Sequence, residues 1–414
     1  MKVLLGIVFI ITSNLFAQEY LLGSWYGNRT AISEFGIDFG FKFTGEYFSV
    51  INSDLKNNSC YLDNINLTAT VDFEKILGWN GATLFADILG NNGGIPNDRV
   101  GTSGRYGTIQ GISNIAAPNT WKLYQFWIEQ SFLNSKLSLL HGLYDLNSEF
   151  DTRETSGIFI NPSHGIGAEY AQSGKNGPSI FPTTSLASRI KYKHTENTYL
   201  LLGVFDGVPG NLNNQNGTQI ILNKNDGLLI AYEIGLLENG ENFVKGFAKY
   251  SLGGWYYTTD FEDISEVDNT NNPILRNNNY GLYISAEKFL LAEKDDSSQG
   301  LAAFLRFGFA NSDINPLNYY WGAGLNITGL IPIRDNDILG IAIGTAHAGK
   351  KFIEVNKANG DNIIENEIII EFTYSFQATD WLRIQPDFQY VMNPMGTGIN
   401  ERARVMGVRA EIIF

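Results

Sequence analysis

Apolar and polar side chains alternate in segment after segment of this chain, and residues 402–414 show the pattern clearly. One face of that segment carries Arg404, Met406, Val408, Ala410, Ile412 and Phe414, and the other carries Val405, Gly407, Arg409, Glu411 and Ile413. A period of two residues indicates a β-strand whose faces meet different surroundings. No apolar run after the N-terminus approaches the roughly 20 residues of a membrane helix. The repeated pattern therefore predicts a closed barrel with lipid outside and water inside.

Sixteen segments follow this alternation and are predicted as strands. They are residues 37–50, 64–77, 82–89, 121–132, 136–145, 185–194, 198–206, 228–236, 243–257, 280–290, 301–310, 319–328, 337–347, 363–376, 381–392 and 402–414. The predicted fold class is all-β: a 16-stranded antiparallel transmembrane β-barrel with a short helix before its first strand.

The links between the predicted strands alternate in length. Short links lie at residues 78–81, 133–135, 195–197, 237–242 and 377–380, with somewhat longer ones at 293–300 and 329–336. Most links on the other side are long: residues 51–63, 90–120, 146–184, 207–227, 258–279 and 348–362. Outer-membrane barrels have short periplasmic turns and long extracellular loops. An even number of strands places both ends of the barrel on the short-turn side.

The N-terminal residues suggest a division of the chain into three parts. Residues 1–17 are predicted to be a secretory signal peptide, with Lys2 before an apolar stretch and Ala17 at the cleavage point. Residues 18–36 are predicted to form an N-terminal periplasmic or plug segment, with a helical turn that Thr30 caps and Gly36 ends. Residues 37–414 are assigned to the outer-membrane barrel.

Composition narrows the function classes. The 44 glycines and 13 % aromatic residues favour β-structure with many turns. A formal net charge of −14 argues against non-specific nucleic-acid binding. Cys60 is the only cysteine, so an intramolecular disulfide is excluded.

Several motifs resemble the OprB family of carbohydrate-selective porins. They are Gly23-Ser24-Trp25-Tyr26-Gly27-Asn28-Arg29, residues 110–118 leading into 123–130, residues 142–151, residues 203–210, and residues 381–390 followed by Asn393-Pro394. The resemblance spans nearly the whole chain after residue 17 and keeps the family's order. Three positions depart from the family pattern: Tyr26 replaces a glycine, Gln125 replaces an acid, and Leu143 stands where a lysine is common. The last two departures remove charges near the expected pore.

The resemblance implies a sixteen-stranded outer-membrane channel for passive uptake of small sugars such as glucose, narrowed by infolded loops. Sugar passage requires hydrogen-bonding groups that replace the water shell without binding tightly. Strand alternation predicts the pathway residues Gln125, Trp127, Glu129, Arg189, Lys191, Lys193, Arg306, Glu371, Arg383, Gln385, Asp387, Gln389, Arg409 and Glu411. An alternative left open is that these side chains form a salt-bridge network that stiffens the wall.

The segment 146–184 is the predicted constriction, because long ordered loops are usually functional. It contributes Asn147 and Glu149 to the predicted pathway, and the alternative is an external loop over the mouth. The acidic stretch 260–272 fits no EF-hand loop and is predicted to be a solvated surface loop rather than a calcium site.

The predicted function is an outer-membrane porin for selective passive diffusion of small carbohydrates, without cofactor or catalysis. None of the nucleophile-elbow, zinc-protease or phosphate-loop motifs occurs in the sequence. The alternatives are a general outer-membrane porin, a barrel without an open pore, and a secreted carbohydrate-binding β-protein or hydrolase. The expected partners are sugars, outer-membrane lipid and, through Phe414, the barrel-assembly machinery of the bacterial outer membrane; a homo-oligomer is left open.

Overall fold

A computed structural model describes residues 20–51, 58–100, 107–240, 242–277, 279–293, 296–360, 363–395 and 402–414. In this part of the chain, sixteen antiparallel strands close into a barrel, in which the first strand pairs with the last. The barrel strands are β1 (Ile37–Val50), β2 (Ser59–Asp72), β3 (Ala82–Gly93), β4 (Thr120–Phe132), β5 (Leu137–Tyr144), β6 (Ser185–Thr195), β7 (Thr198–Asp206), β8 (Leu228–Glu238), β9 (Ala248–Tyr257), β12 (Tyr280–Ala292), β13 (Gly300–Ala310), β14 (Leu317–Thr328), β15 (Ile338–Ala348), β16 (Asn366–Thr379), β17 (Leu382–Met392) and β18 (Arg402–Ile413). Two further strands, β10 (Phe261–Val267) and β11 (Pro273–Arg276), form a separate hairpin.

The predicted fold class is confirmed, and most strand bounds agree within a few residues. The main difference is the second strand, which was predicted to run to residue 77 but ends at Asp72. There the Asp72 carboxylate accepts backbone N–H bonds from Glu74 and Lys75 and caps a short helix, α2 (Phe73–Leu77). A side-chain cap of this kind starts a helix where the apolar pattern alone suggested a longer strand.

The two faces of each strand divide as predicted. In β13, Leu305 and Phe307 are 57 % and 43 % exposed on the outer surface, whereas Arg306 between them is 1 % exposed inside the barrel. A charged side chain that faced lipid at the midplane would cost about 2–4 kcal/mol. The outer belt is therefore mostly apolar, and most ionisable groups of the strands point inward. Lys288 of β12 and Arg404 of β18 are exceptions, with exposed side chains on the outer face.

Three further helices are short: α1 (Asn28–Phe35), α3 (Ala168–Ala171) and α4 (Lys350–Ala358). The prediction that Thr30 caps helix α1 is wrong, because the helix begins at Asn28 and Thr30 lies inside its first turn. The residue before the helix is Gly27, which has a left-handed conformation and no side chain to act as a cap. The predicted stop at Gly36 is confirmed by its left-handed φ of 109°. Among the described residues, none of the helices is long and apolar enough to cross a membrane.

The segment before β1 packs against the end of β18. A guanidinium nitrogen of Arg29 donates to a main-chain oxygen of Phe414 at 2.7 Å, and the Phe414 ring stacks on Phe41 with centroids 4.2 Å apart. The backbone N–H of Leu21 also donates to Ile413. Residues 20–36 therefore lie at the short-turn rim of the barrel. The predicted signal peptide, residues 1–17, lies outside the described residues.

The acidic stretch 260–272 was predicted as a solvated surface loop. Most of its residues are exposed, as predicted, but the stretch is not an irregular loop. The stretch forms most of the β10–β11 hairpin, which is tied to helix α4 at the long-loop end. The Lys351 ammonium contacts Asp263 at 2.8 Å, Glu266 at 2.7 Å and Asp313 at 2.8 Å, and Arg276 contacts Asp263 at 2.9 Å. The acidic side chains are therefore held in place by cations, and the main one, Lys351, lies on a helix that is distant in the sequence. The local sequence does not reveal this contact.

We expect Lys351→Met to detach the hairpin from α4 and to speed amide hydrogen exchange in both elements. Burial opposes ionisation of Asp263, but hydrogen bonds from Lys351 and Arg276 outweigh it and lower the carboxyl pKa. A lowered folded pKa stabilises the tie above the unfolded value of about 3.9, and the stabilisation is lost as the pH falls below it. The protection factor of the wild-type hairpin, which is the ratio of the intrinsic to the observed exchange rate at each pH, should therefore fall toward the variant's value in acid. Exchange that is equally slow in wild type and variant at pH 7 would contradict this expectation.

Candidate permeation pathway

The link between β5 and β6 folds into the barrel. Backbone N–H groups along it donate to carboxylates of the inner wall. Three wall glutamates accept these bonds: Glu233 from Asp151 at 2.9 Å, Glu287 from Thr155 at 2.8 Å, and Glu371 from Ile160 at 2.6 Å. A buried carboxylate that accepts backbone N–H bonds satisfies both partners. The predicted constriction segment therefore occupies the lumen and is bonded to strands β8, β12 and β16.

A second infolded segment comes from the link between β3 and β4. Glu367 of β16 accepts the backbone N–H groups of Ile109 at 2.9 Å and Gln110 at 3.0 Å. Glu46 of β1 accepts the Ser113 hydroxyl at 2.6 Å. Sequence alternation placed Glu46 and Glu367 on inward faces, but nothing local marked them as holding a loop.

A buried ion cluster fixes the constriction segment at its centre. Arg306 of β13 contacts Asp151 at 2.8 Å and Glu169 at 2.7 Å, and Arg153 contacts Asp151 at 2.6 Å. All four side chains are essentially inaccessible to water. The two positive charges of the arginines equal the two negative charges of the carboxylates, and buried charges are tolerated when they are paired in this way. Burial also lowers the pKa of the nearby His164 to about 3, so its imidazole is neutral.

The predicted pathway residues of the anchoring strands contact the infolded segments rather than open water. The Gln385 amide donates to Ile158 O at 2.7 Å, and that of Gln389 donates to Ile112 O at 2.8 Å. The Arg409 guanidinium donates to Glu46 of β1 at 2.6 Å and to the Asn114 side chain of the second infolded segment. The residues of this group are all buried: Arg306, Glu371, Gln385, Asp387, Gln389 and Arg409. Their contacts fit the alternative that these polar side chains stiffen the barrel wall instead of lining the pathway.

The opposite part of the lumen is wet. We call the inward side chains Phe85, Trp127, Glu129, Arg189 and Lys191 of strands β3, β4 and β6 the open wall. Its Glu129 and Lys191 side chains are 25 % and 27 % exposed. Arg189, which is itself buried, joins Glu129 at 2.9 Å to Glu149 of the constriction segment at 2.6 Å, and Lys191 contacts Glu149 at 3.2 Å.

The charges at the open wall balance one another. Burial opposes ionisation of Glu149, but Arg189 and Lys191 outweigh it and lower the carboxyl pKa, so Glu149 is charged at neutral pH. Together with Glu129, the four side chains form a neutral set of donors and acceptors at the surface of the lumen. Such a set can exchange hydrogen bonds with uncharged hydroxyl groups without attracting ions of either sign.

Trp127 supplies an aromatic surface next to these charges. Its ring stacks on Phe85 with centroids 5.1 Å apart, and its N–H donates to Gln125 at 3.3 Å. The register of β4 with β3 shifts near Asp87, so that both Tyr124 and Gln125 turn inward. A bulge of this kind re-aims a side chain, and the sequence pattern did not reveal it. Phe85 was also missed.

Asn147 lines a cavity of about 440 Å³ between the two infolded segments. Its backbone N–H donates to Asp145 at 2.9 Å, and its side-chain amide donates to Phe150 O at 3.0 Å. Burial raises the pKa of Asp145 to about 6, against a hydrogen bond from Tyr124. Almost all of its lining residues come from the two long links 90–120 and 146–184.

The remaining predicted residues lie toward the short-turn end. Glu411 pairs with Lys42 at 2.6 Å, and Arg383 donates to Gln377 at 3.4 Å. Lys193 is partly exposed near the end of β6. The structure thus divides the predicted residues into three groups, with Asn147 placed apart from them at the cavity.

Three comparisons with known proteins agree with this architecture. The family described as "Carbohydrate-selective porin, OprB family" matches residues 56–414. Porin B of Pseudomonas aeruginosa is 26 % identical over 425 residues, covering 96 % of this chain and 92 % of the relative. A high-pH structure of OprB from Pseudomonas putida superposes with a TM-score of 0.83 at 22 % identity, over 96 % of this chain and 99 % of that one. The outer-membrane channel DcaP of Acinetobacter baumannii shares the fold at a TM-score of 0.55 and 10 % identity, over 92 % of this chain and 98 % of that one.

Proposed function

The chain belongs to the OprB family of carbohydrate-selective porins, and we propose that sugars cross its lumen along the open wall. It is a carbohydrate porin of the bacterial outer membrane. The observation that supports the route is the wet, charge-balanced row of Glu129, Arg189, Lys191 and Glu149 facing a lumen whose other side is filled by the infolded segments.

The row suits a small sugar for a physical reason. Each hydroxyl group loses hydrogen bonds with water in a narrow lumen, and charged donors and acceptors in fixed positions replace them. The exposed part of the Trp127 ring offers an apolar surface to the C–H face of a pyranose. Each contact is shared with a protein partner, so binding stays weak enough for release.

Transport along this route is passive. The carboxylates of Glu129 and Glu149 are engaged by Arg189 and Lys191, so neither is placed as an unpaired general acid or base. We propose that the chain catalyses no reaction and selects small carbohydrates by the width and polarity of the lumen alone.

The test is liposome swelling by the purified, refolded protein with glucose, a disaccharide and a zwitterionic amino acid of glucose size. We expect fast swelling with glucose and slower swelling with the other two solutes. Equal rates for glucose and the amino acid would reduce the proposal to a general porin. Protein that is folded but gives no swelling would overturn it.

Lipid and the barrel-assembly machinery are the other proposed partners. Exposed apolar side chains such as Leu305 and Phe307 suit a hydrocarbon surrounding. A homo-oligomer would bury part of the same belt and remains a proposal for sedimentation measurements in detergent.

We expect Phe414→Ala to reduce the yield of folded protein in the outer membrane several-fold. The change removes an aromatic C-terminus and its stacking on Phe41. Phe39→Ala, at an exposed aromatic position of the neighbouring β1, is the matched control. Heat-modifiable gel mobility measures the folded fraction. Equal losses in both variants would argue that Phe414 acts only as a lipid-facing side chain.

A further inference from the structure

A second cavity lies at the long-loop end, outside the one that Asn147 lines. Its volume is about 330 Å³, and it is bounded by the start of β4, residues 171–184 and the link 207–227. Amide side chains dominate its polar lining: Gln172, Asn176, Asn211, Asn214, Gln215 and Gln219. None of the described residues that line it is acidic, and Lys122 is its one charged group. The cavity therefore carries a positive charge in a chain whose formal net charge is −14.

Lys122 is a buried cation for which the described part of the chain supplies no counterion. The side chain is 7 % exposed, and its ammonium donates to Pro182 O at 3.0 Å and to the Thr183 hydroxyl at 3.4 Å. Neither acceptor is charged, and none of the described carboxylates forms an ion pair with it. Removing an ammonium from water is unfavourable unless a charge compensates it. The inner-wall cations Arg306, Arg189 and Arg409, by contrast, all meet carboxylates.

The chemistry of the missing partner follows from the cavity. An ammonium has three donors, and two of them are used, so one remains for a ligand. A carboxylate would supply both the acceptor and the charge. The surrounding amides donate to and accept from hydroxyl groups, and the Phe181 ring adds an aromatic surface. The volume lies within the range of small-ligand sites.

We propose that this outer cavity binds a monosaccharide that carries a carboxylate, such as a uronic acid, with Lys122 as its anion-recognising residue. The inference rests on the proposed function, because it names a substrate class for the same channel. Phe181 and Pro182 line both this cavity and the 440 Å³ cavity next to it. The two cavities are therefore neighbours, and only this shared wall separates a ligand at Lys122 from the inner cavity.

The test compares glucuronate with glucose, since the two differ only in the oxidation of one carbon. Binding is titrated by saturation-transfer NMR with the full-length protein in detergent. We expect Lys122→Met to weaken glucuronate binding by about tenfold or more, the size typical of a hydrogen bond to a charged group. Glucose binding should be unchanged, and Lys122→Arg should keep most of the glucuronate affinity.

Lys175→Met is the matched control. Lys175 is an exposed cation at the same mouth, and it lies outside the cavity lining, with its ammonium 5.6 Å from the centre of the Phe261 ring. An equal loss of glucuronate binding in both methionine variants would assign the effect to the general field of the mouth and overturn the proposal. So would glucuronate binding that is indifferent to Lys122 in a variant shown to be folded by heat-modifiable mobility. Either result would leave wild-type glucose swelling intact, whereas failure of that swelling would instead remove the proposed function.

Discussion

Replacing Arg306 with methionine is expected to free the constriction segment and to raise single-channel conductance several-fold. The substitution leaves Asp151 and Glu169 buried, with only Arg153 nearby to offset two negative charges. Breaking a buried ion pair by removing one partner costs about 3–5 kcal/mol. Part of that cost is avoided if the segment leaves the wall and hydrates its carboxylates. Planar-bilayer recording measures the conductance, and calorimetry measures the stability.

Lys288→Met is the control for the loss of a paired cation. Lys288 of β12 contacts Glu238 at 3.3 Å, and both side chains are 47 % exposed. Exposed pairs contribute about 0–1 kcal/mol, so stability should change little and conductance not at all. A folded Arg306→Met protein with wild-type conductance would show that the segment stays in place without the cluster.

Replacing Glu149 with glutamine is expected to lower the glucose swelling rate by about tenfold and to shift ion selectivity toward anions. The change is isosteric but removes the charge that Arg189 and Lys191 contact at 2.6 Å and 3.2 Å. Lys191 then faces the lumen with a positive charge that no longer has its partner. A hydrogen bond to a charged group contributes about 1.5–3 kcal/mol, which corresponds to roughly tenfold or more in a rate or an affinity.

Glu154→Gln separates this effect from a change in overall charge. Glu154 lies on the same segment but is exposed, and it stands apart from the open wall. Reversal potentials in a salt gradient should move for Glu149→Gln and stay at the wild-type value for Glu154→Gln. A glucose rate that is unchanged in Glu149→Gln would remove Glu149 from the pathway.

The barrel could be predicted from the sequence because each strand repeats the same physical demand. Lipid requires apolar side chains at every second position, so β1 and β7 were predicted with the bounds that the structure gives. The alternation did not predict the end of β2, because there the Asp72 side chain accepts backbone N–H bonds and starts helix α2. The β10–β11 hairpin was not predicted, because it is held in place by Lys351, which is 88 residues away from Asp263 along the chain.

The inward faces of the predicted pathway residues also followed from alternation. Which of those residues meet water did not, because that depends on the path of the infolded segments. Glu233 and Glu287 fix this path by accepting backbone N–H groups from residues 82 and 132 positions away. Backbone groups are the same at every position, so a sequence carries no mark of which one a distant carboxylate will bind.

Cysteine accessibility is the most direct measurement of which side of the lumen is wet. Cys60 is buried and is the only cysteine, so Cys60→Ser supplies a cysteine-free background. A charged methanethiosulfonate reagent should change the conductance of Lys191→Cys quickly, and glucose should slow the reaction. The same reagent should leave Gln385→Cys unaffected, because that position is covered by the constriction segment. Fast labelling of Gln385→Cys together with a silent Lys191→Cys would contradict the assignment of the pathway to the open wall.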